Sequence, residues 1–350
     1  MGKLIGYVGT AQLNEVTVED INHLDVINIA FGHIQQGRAE WNHPECKADL
    51  ARIKSQNPDI KIILSIGGWG AGGFSEAAMT EKGRKQLADS AVDLIKEYGL
   101  DGIDIDWEYP CSRVAGIDGD EKDRENFTLL METLRRTLDA AGDKTYMLTI
   151  AAGADDYFTS CTEMDKVQKY LDYVQLMTYD LKGGFQTFTG HHTCLYSNRR
   201  DLYPSSTDKA VECFTRAGVP KEKLIIGAAF YSRKWGKVPD IDHGLFQMAG
   251  TTGGYGPNYF GLVRDYINKN GYVRYWDDEA KAPYLFNGET FISYDDEESL
   301  REKAKYVAEK GLLGMMYWEY CCDETHTLTG WIRKQLDLAD ASLRTVLGQK

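Results

Sequence analysis

Eight short runs rich in β-branched and other apolar residues punctuate the chain at fairly regular intervals: KLIGYVG (3–9), VINIAFGHI (26–34), IKIILSIGG (60–68), LDGIDIDWE (100–108), YMLTIAAG (146–153), YVQLMTYD (173–180), KLIIGAAF (223–230) and LLGMMYWE (312–319). Most are separated by stretches of helical period. In DRENFTLLMETLRRTLDAAG (123–142), Phe127, Leu130, Leu134 and Leu138 share one face and Gly142 supplies a stop. SSTDKAVECFTRAG (205–218) and DEESLREKAKYVAEKG (296–311) also end in glycine. Strands that are apolar on both faces and alternate with helices belong to a parallel sheet covered by those helices. Eight such units predict an α/β fold, a closed (β/α)8 TIM barrel rather than an open sheet.

One interval breaks the rhythm. About 65 residues rich in glycine and aromatics separate the seventh strand from the helix near 296, and structureless loops of that length are rare in a compact domain. The pattern predicts a small α+β insertion over 232–292, between the seventh strand and its following helix, with the barrel formed by 1–231 and 293–350. YVRYWDD (272–278) and ETFISYD (289–295) are its strand candidates. TTGGYG (251–256) lacks the spacing of a nucleotide-binding loop and reads as a turn.

A net charge of −13 argues against nucleic acid and anionic membrane surfaces as partners. No apolar run approaches the roughly 20 residues that span a bilayer. MGKLIGYVGT enters a strand directly and lacks the long apolar core and small-residue cleavage site of a secretory leader, as expected of an intracellular protein or of one whose leader was removed. The seven cysteines (46, 111, 161, 194, 213, 321, 322) are irregularly spaced without a CxxC pair, so they read mostly as free thiols, and bridging the adjacent Cys321 and Cys322 would be strained. His191 and His192 read as a loop pair. Neither a metal nor a cofactor is expected.

The fourth run is the anomaly, because LDGIDIDWEYP (100–110) carries Asp101, Asp104, Asp106 and Glu108 inside what otherwise reads as a buried strand. Side chains alternate across a strand, so Asp104, Asp106 and Glu108 share a face while Ile103, Ile105 and Trp107 take the other. The apolar set faces the helices and the acids face the barrel interior. Neighbouring carboxylates in a low dielectric cannot all ionise easily, so at least one pKa is expected to rise. A raised acid at the carboxyl end of a barrel strand suits a general acid.

DGIDIDWEYP resembles the DxxDxDxE signature of glycoside hydrolase family 18, the chitinase family, and four further segments agree in order. SIGG (Ser65–Gly68, including Gly67) is similar to the family's SxGG; QLMTYD (Gln175–Asp180) to its QxMxYD; AFYSRKW, with Tyr231 and Arg233, to its YxR element; and MMYWEY (315–320) to its last strand. The insertion falls where one branch of the family carries an α+β subdomain.

The resemblance implies retaining hydrolysis of β-1,4-linked N-acetylglucosamine polymers, with the substrate's own acetamido oxygen as nucleophile and an oxazolinium intermediate. It implies that Glu108 is the general acid and then the base. Asp106 would orient the acetamido N–H and shuttle toward Asp104, which would hold the shared proton, supported by Ser65 and Tyr7. Tyr179 would bond the acetamido carbonyl, and Trp318 would form the floor under the sugar. Asp180, Tyr231 and Arg233 would meet sugar hydroxyls, with Met177, Gln175, Phe31 and Trp69 also lining the site and Gly67 and Gly68 supporting it. Asp101 fits a structural role at the strand start. Trp41, Trp235 and Trp276 suit packing and sugar stacking equally. The family's non-proline cis peptides would fall at Ala30-Phe31, Glu108-Tyr109 and Trp318-Glu319. An exported monomer with its leader removed, acting on chitin or chitooligosaccharides, is the matching expectation. Two other functions share the fold: an endo-β-N-acetylglucosaminidase acting on N-glycans, and a chitin-binding lectin that has lost the motif's terminal Glu or middle Asp.

Overall fold

The computed structural model describes residues 2–142 and 144–346. Eight strands form the barrel: β1 (Lys3–Gly9), β2 (Val26–Gln35), β3 (Lys61–Gly67), β4 (Gly102–Asp106), β5 (Met147–Gly153), β6 (Tyr173–Met177), β7 (Leu224–Ala229) and β8 (Gly314–Trp318). Their order, β1-β8-β7-β6-β5-β4-β3-β2 with β1 also paired to β2, closes the parallel sheet as the alternating pattern predicts. Two strands stop earlier than the apolar runs suggest. β4 ends at Asp106 and β6 at Met177, so Glu108, Tyr179 and Asp180 lie just beyond strand ends rather than on them. The peptides Ala30-Phe31, Glu108-Tyr109 and Trp318-Glu319 are cis. Among the described residues no helix is long and apolar enough to cross a membrane.

By its internal packing the chain divides into two units, one of Ile5–Leu176 with Cys213–Ile225, the other of Met1–Leu4, Met177–Glu212 and Ile226–Lys350. In the first, the outward residues of β4 are sealed: Ile103, Ile105 and Trp107 are at most 1% exposed. Trp107 stacks on Phe74 at 5.3 Å and 11° and leans on Phe127 at 5.9 Å, which joins the strand end to two helices, Phe74–Ala78 and Asp123–Ala140. Phe127, Leu130, Leu134 and Leu138 are all buried on the inner face of the second helix. Full burial of each such side chain contributes about 1.5–3 kcal/mol. Helix Glu81–Tyr98 starts at a Thr80 cap and is stopped by Gly99 at φ 69°.

In the second unit, residues 231–293 build a five-stranded antiparallel sheet ordered Gly254–Asn258, Tyr231–Trp235, Phe291–Ser293, Ala282–Phe286, Val273–Asp277. Alternation gives it two buried faces. Trp235, Tyr284, Phe286 and Phe291 enter one core, and Leu285 and Ile292 enter another with Leu262 and Tyr294. TTGGYG is not simply a turn, because its last residues begin the edge strand, where glycine and Pro257 are tolerated. Trp235 is fully buried and donates its indole N–H to the Gln186 carbonyl at 3.0 Å, so it is a packing residue. In the first unit Trp41 is likewise buried, bonded to Thr10 and packed on Tyr98. Helix Glu297–Lys310 opens on a capping box between Asp296 and Ser299 and closes at Gly311. Its Lys303 forms a wholly buried ion pair with Asp295 at 2.6 Å, and Asp295 also accepts from Ala229 N, Thr193 and Ser299.

Candidate active site

The first unit presents the acids. Strand register sets a row of polar side chains at one level of its sheet: Tyr7 opposite Asn28, Ser65 opposite Asp104, and Asp104 opposite Thr149. Asp104 is fully buried, and both its oxygens accept two hydrogen bonds. Tyr7 (2.9 Å) and Ser65 (2.7 Å) donate to Oδ2, and Thr149 (2.7 Å) and Gln175 (3.0 Å) donate to Oδ1. Gln175 is itself fixed, since it donates to the Tyr7 oxygen and accepts from Asn28. Burial raises the Asp104 pKa, and these four donors pull it back without cancelling the shift.

Asp106 is placed differently. It is buried, its Oδ1 has no hydrogen-bond partner among the described residues, and its pKa is pushed well above the usual carboxylate range. Burial is the leading cause, followed by the charges of Glu108 and Asp104. Both strand acids are shifted upward, and Asp106 is the one with an oxygen that meets no donor among the described residues. Glu108 lies half-buried past the strand end. The next residue, Tyr109, has its phenol pKa raised by burial and by its bonding and proximity to Glu108. Tyr109 also meets the edge of Trp69 at 6.3 Å, and Trp69 is 52% exposed.

The two glycines of SIGG have separate steric reasons. A Cβ on Gly67 would sit 1.9 Å from the Asp106 carbonyl oxygen, and one on Gly68 would sit 2.8 Å from the Phe31 ring. Both glycines have positive φ. The close backbone approach lets Gly68 N donate to the Asp106 carbonyl at 2.9 Å. Asp101, at the opposite end of β4, is clamped by Lys54 (2.6 Å), Lys144 (2.9 Å) and the Ile62 N–H (2.9 Å). Burial raises its pKa, but those partners outweigh it and the net shift is downward.

The second unit holds the other candidates. Arg233 forks onto Asp180, Nε to Oδ1 at 2.7 Å and a terminal nitrogen to Oδ2 at 2.6 Å, and its guanidinium lies 3.9 Å over the Tyr255 ring. Burial pushes the Asp180 pKa up, yet His192 and Arg233 outweigh it and hold the carboxyl well below its usual range. Tyr231 packs between Tyr179 (6.0 Å), His192 (5.1 Å) and Tyr255 (5.8 Å). The Tyr179 hydroxyl faces the Met316 sulfur at 3.7 Å. Trp318 and Met177 are half-buried, each at the end of its strand. Trp276 is partly exposed under Arg274.

Sequence reasoning misses Thr149, Asn28, Tyr109, His192, Tyr255 and Met316. The first two have a signal, a lone polar residue at an inward position of an apolar strand (Asn28 in VINIAFGHI, Thr149 in YMLTIAAG). His192, half of a loop pair by its sequence context, is buried against Asp180, and its neighbour His191 bonds Asp277 at 3.0 Å instead.

The chain's likeness to known proteins bears on this arrangement. The model of Glycosyl hydrolases family 18 matches residues 3–323. Chitinase A1 of Niallia circulans is 39% identical over 309 residues, which is 82% of this chain and 44% of that protein. Among solved structures, a glycoside hydrolase family 18 N-acetylglucosaminidase from Paenibacillus barengoltzii superposes with a TM-score of 0.95 at 55% identity, covering 96% of this chain and 100% of that one. Chitinase ChiW from Paenibacillus sp. str. FPU-7, a multi-modular cell-surface enzyme, gives 0.89 at 41% identity over 96% of this chain and 43% of its own. The chain thus spans less than half the length of two of these relatives.

Proposed function

The chain belongs to glycoside hydrolase family 18, and from that premise we propose that it hydrolyses β-1,4-linked N-acetylglucosamine chains, chitin or its oligosaccharides, with retention of configuration. The observation that carries the mechanism is the burial of Asp106 beside two other acids with its Oδ1 lacking a hydrogen-bond partner among the described residues. Ionised, Asp106 accepts from the substrate's acetamido N–H and orients it; protonated, it donates to Glu108. Glu108 protonates the glycosidic oxygen. The acetamido oxygen attacks the anomeric carbon and forms the oxazolinium ion, and Glu108 then takes a proton from the water that opens it. Asp104, whose four donors favour its charged form against burial, adds to the charge that raises the Asp106 pKa. On this reading Asp106, two residues along β4, stores the proton that sequence reasoning expects on Asp104.

Tyr179 holds the acetamido carbonyl so that its oxygen lies in line for attack, a proximity effect. Trp318 supplies an apolar platform for the sugar face. Asp180, with its charge fixed by Arg233, accepts from sugar hydroxyls, and Tyr231, Met177, Phe31 and Trp69 complete the lining. We also assign 232–292 as a subdomain distinct from the barrel, and export from the cell as the route to a polymeric substrate.

A second reading concerns the product. The likeness at 55% identity to a family 18 N-acetylglucosaminidase over that enzyme's whole length favours release of single N-acetylglucosamine units from chain ends. The experiment is a time course on the chitin hexamer, followed by mass spectrometry and by proton NMR of the anomeric centre. A first product of β configuration supports retention. Monomer from the earliest times selects the exo reading, and mixed oligomers select internal cleavage. Glu108→Gln should abolish turnover while substrate still binds. Substantial hydrolysis by that variant, or an α first product, would overturn the mechanism.

A further inference from the structure

Beyond Trp318 the chain makes a single 3-10 turn, Tyr320–Cys322, entered from Glu319 in an extended conformation and closed by the Cys322 N–H donating to the Glu319 carbonyl at 3.0 Å. Residues three apart eclipse one another in such a turn, so Glu319 and Cys322 lie one above the other with Cys321 beside them. As a result the Glu319 carboxylate and the two sulfurs converge, with one ligand atom from each within 4.8 Å of the others. Both cysteines are free thiols, and all three residues are half-buried, close enough to the surface for an ion to reach them.

Neighbouring polar groups have other work. The Asp323 carboxylate accepts from the backbone of Thr325, Thr327 and Leu328, and His326 Nδ1 pairs with the Tyr320 hydroxyl at 3.1 Å. The adjacency that makes a disulfide between Cys321 and Cys322 strained is no obstacle to chelation, because two sulfurs on consecutive residues can approach one ion without bonding to each other.

We propose that Glu319, Cys321 and Cys322 form a binding site for a thiophilic divalent cation of the Zn2+ or Cd2+ type. Two thiolates and one carboxylate are a borderline-soft donor set that favours such ions over Mg2+ or Ca2+, which prefer oxygen ligands alone. Three protein ligands leave the fourth tetrahedral position to water or an exogenous ligand. On uptake each thiol loses its proton to solvent and the sulfur electron pair forms the metal bond, so one ion enters and two protons leave with no change of oxidation state. The other convergent set among the described residues, His43, Glu45 and Cys46, fits less well. Its only sulfur, on Cys46, is buried with the thiol directed at the Thr10 carbonyl, whereas Cys321 and Cys322 are both half-buried. The proposed site lies one residue beyond Trp318, so an ion bound there would pin the turn that follows the sugar platform.

The test is titration of the reduced, metal-free full chain with Cd2+, read by thiolate-to-metal charge-transfer absorption and by equilibrium dialysis. The expected result is saturation at one Cd2+ per chain, reversal by Zn2+, and loss of the band in Cys321→Ser and in Cys322→Ser. Glu319→Gln should weaken binding about tenfold or more. A measurement on the unmutated chain guards against a variant that fails to fold. One equivalent of Cd2+ should protect Cys321 from iodoacetamide, as mapped by peptide mass spectrometry, while the half-buried Cys161 keeps reacting. No band at stoichiometric Cd2+, an undiminished band in Cys322→Ser, or protection that falls on Cys46 instead would overturn the proposal.

Discussion

Replacing Asp106 with asparagine should make the protein more stable once pH rises through the Asp106 pKa, and far less active. Asp106 is 4% exposed, and its pKa is driven well up by burial and then by the charges of Glu108 and Asp104. A group whose folded pKa exceeds its unfolded value contributes stability that is fully present below the unfolded pKa and is lost as pH rises through the folded one. The wild type should therefore weaken as pH rises and the Asp106 proton is stripped away. Asp104 and Asp106 lie two residues apart on a strand, roughly 7 Å, where two charges repel by about 2.4 kcal/mol at an effective dielectric near 20. An asparagine side chain keeps the shape of the protonated acid and cannot ionise, so Asp106→Asn avoids that repulsion. For a chain of 350 residues, the relief is worth about 3 °C in melting temperature. Thermal unfolding of both proteins across pH is the assay. The two curves should converge at acid pH and separate as pH rises, the variant lying higher. Turnover of a chitin oligomer should fall about 100-fold or more, which corresponds to about 2.7 kcal/mol of barrier. A variant that is less stable than wild type at every pH, or that keeps the wild-type rate, would refute the assignment of the proton to Asp106.

Three further perturbations follow from the same geometry. Thr149→Val is nearly isosteric and removes one of the four donors to Asp104, weakening its charged form by about 1.5–3 kcal/mol; the acid limb of the rate profile should move to higher pH, and an unmoved limb would deny that Asp104 acts in its charged form. Arg233→Lys cannot both fork onto Asp180 and cover Tyr255, so KM should rise about tenfold, the equivalent of one charge-assisted hydrogen bond, in steady-state kinetics with chitin oligomers. Lys303→Met leaves the wholly buried Asp295 without its cation and should cost about 3–5 kcal/mol in urea unfolding. Asp295 has a depressed pKa because Lys303 and its hydrogen bonds outweigh burial, so in the wild type its stabilisation is lost as pH falls through the folded value, whereas in the variant the deficit should shrink as pH falls and Asp295 takes up a proton.

The barrel is legible because its signal is repeated. Each strand has to be apolar on both faces and each helix on one, and eight repetitions of that pattern leave little else to build. The site is less evenly legible. Asp104, Asp106 and Glu108 stand out because acids in an apolar strand contradict their surroundings, but alternation carries that pattern two residues too far. The strand stops at Asp106, and Glu108 stands beyond it, where a cis peptide follows. Trp41 and Trp235 cannot be told from sugar platforms by residue type alone, and both are packing residues. Tyr255 and His192 carry no local mark, since each matters only through Arg233, Asp180 and Tyr231, which lie far away in sequence.

What the amino-acid sequence determined by itself was local and periodic: which runs are strands, which face of β4 is apolar, where helices stop, and which acids share a side. What only the tertiary structure decided was how unlike those acids are. Asp104 and Asp106 are the same residue type two positions apart in one strand, yet one is surrounded by four donors from β1, β3, β5 and β6 and the other has a buried oxygen with no donor among the described residues. A carboxylate's proton affinity depends on the solvent it has lost and on the dipoles and charges that replace it. Those come from strands brought together by barrel closure, so they are set by the folded neighbourhood and cannot be read from the acids' own segment.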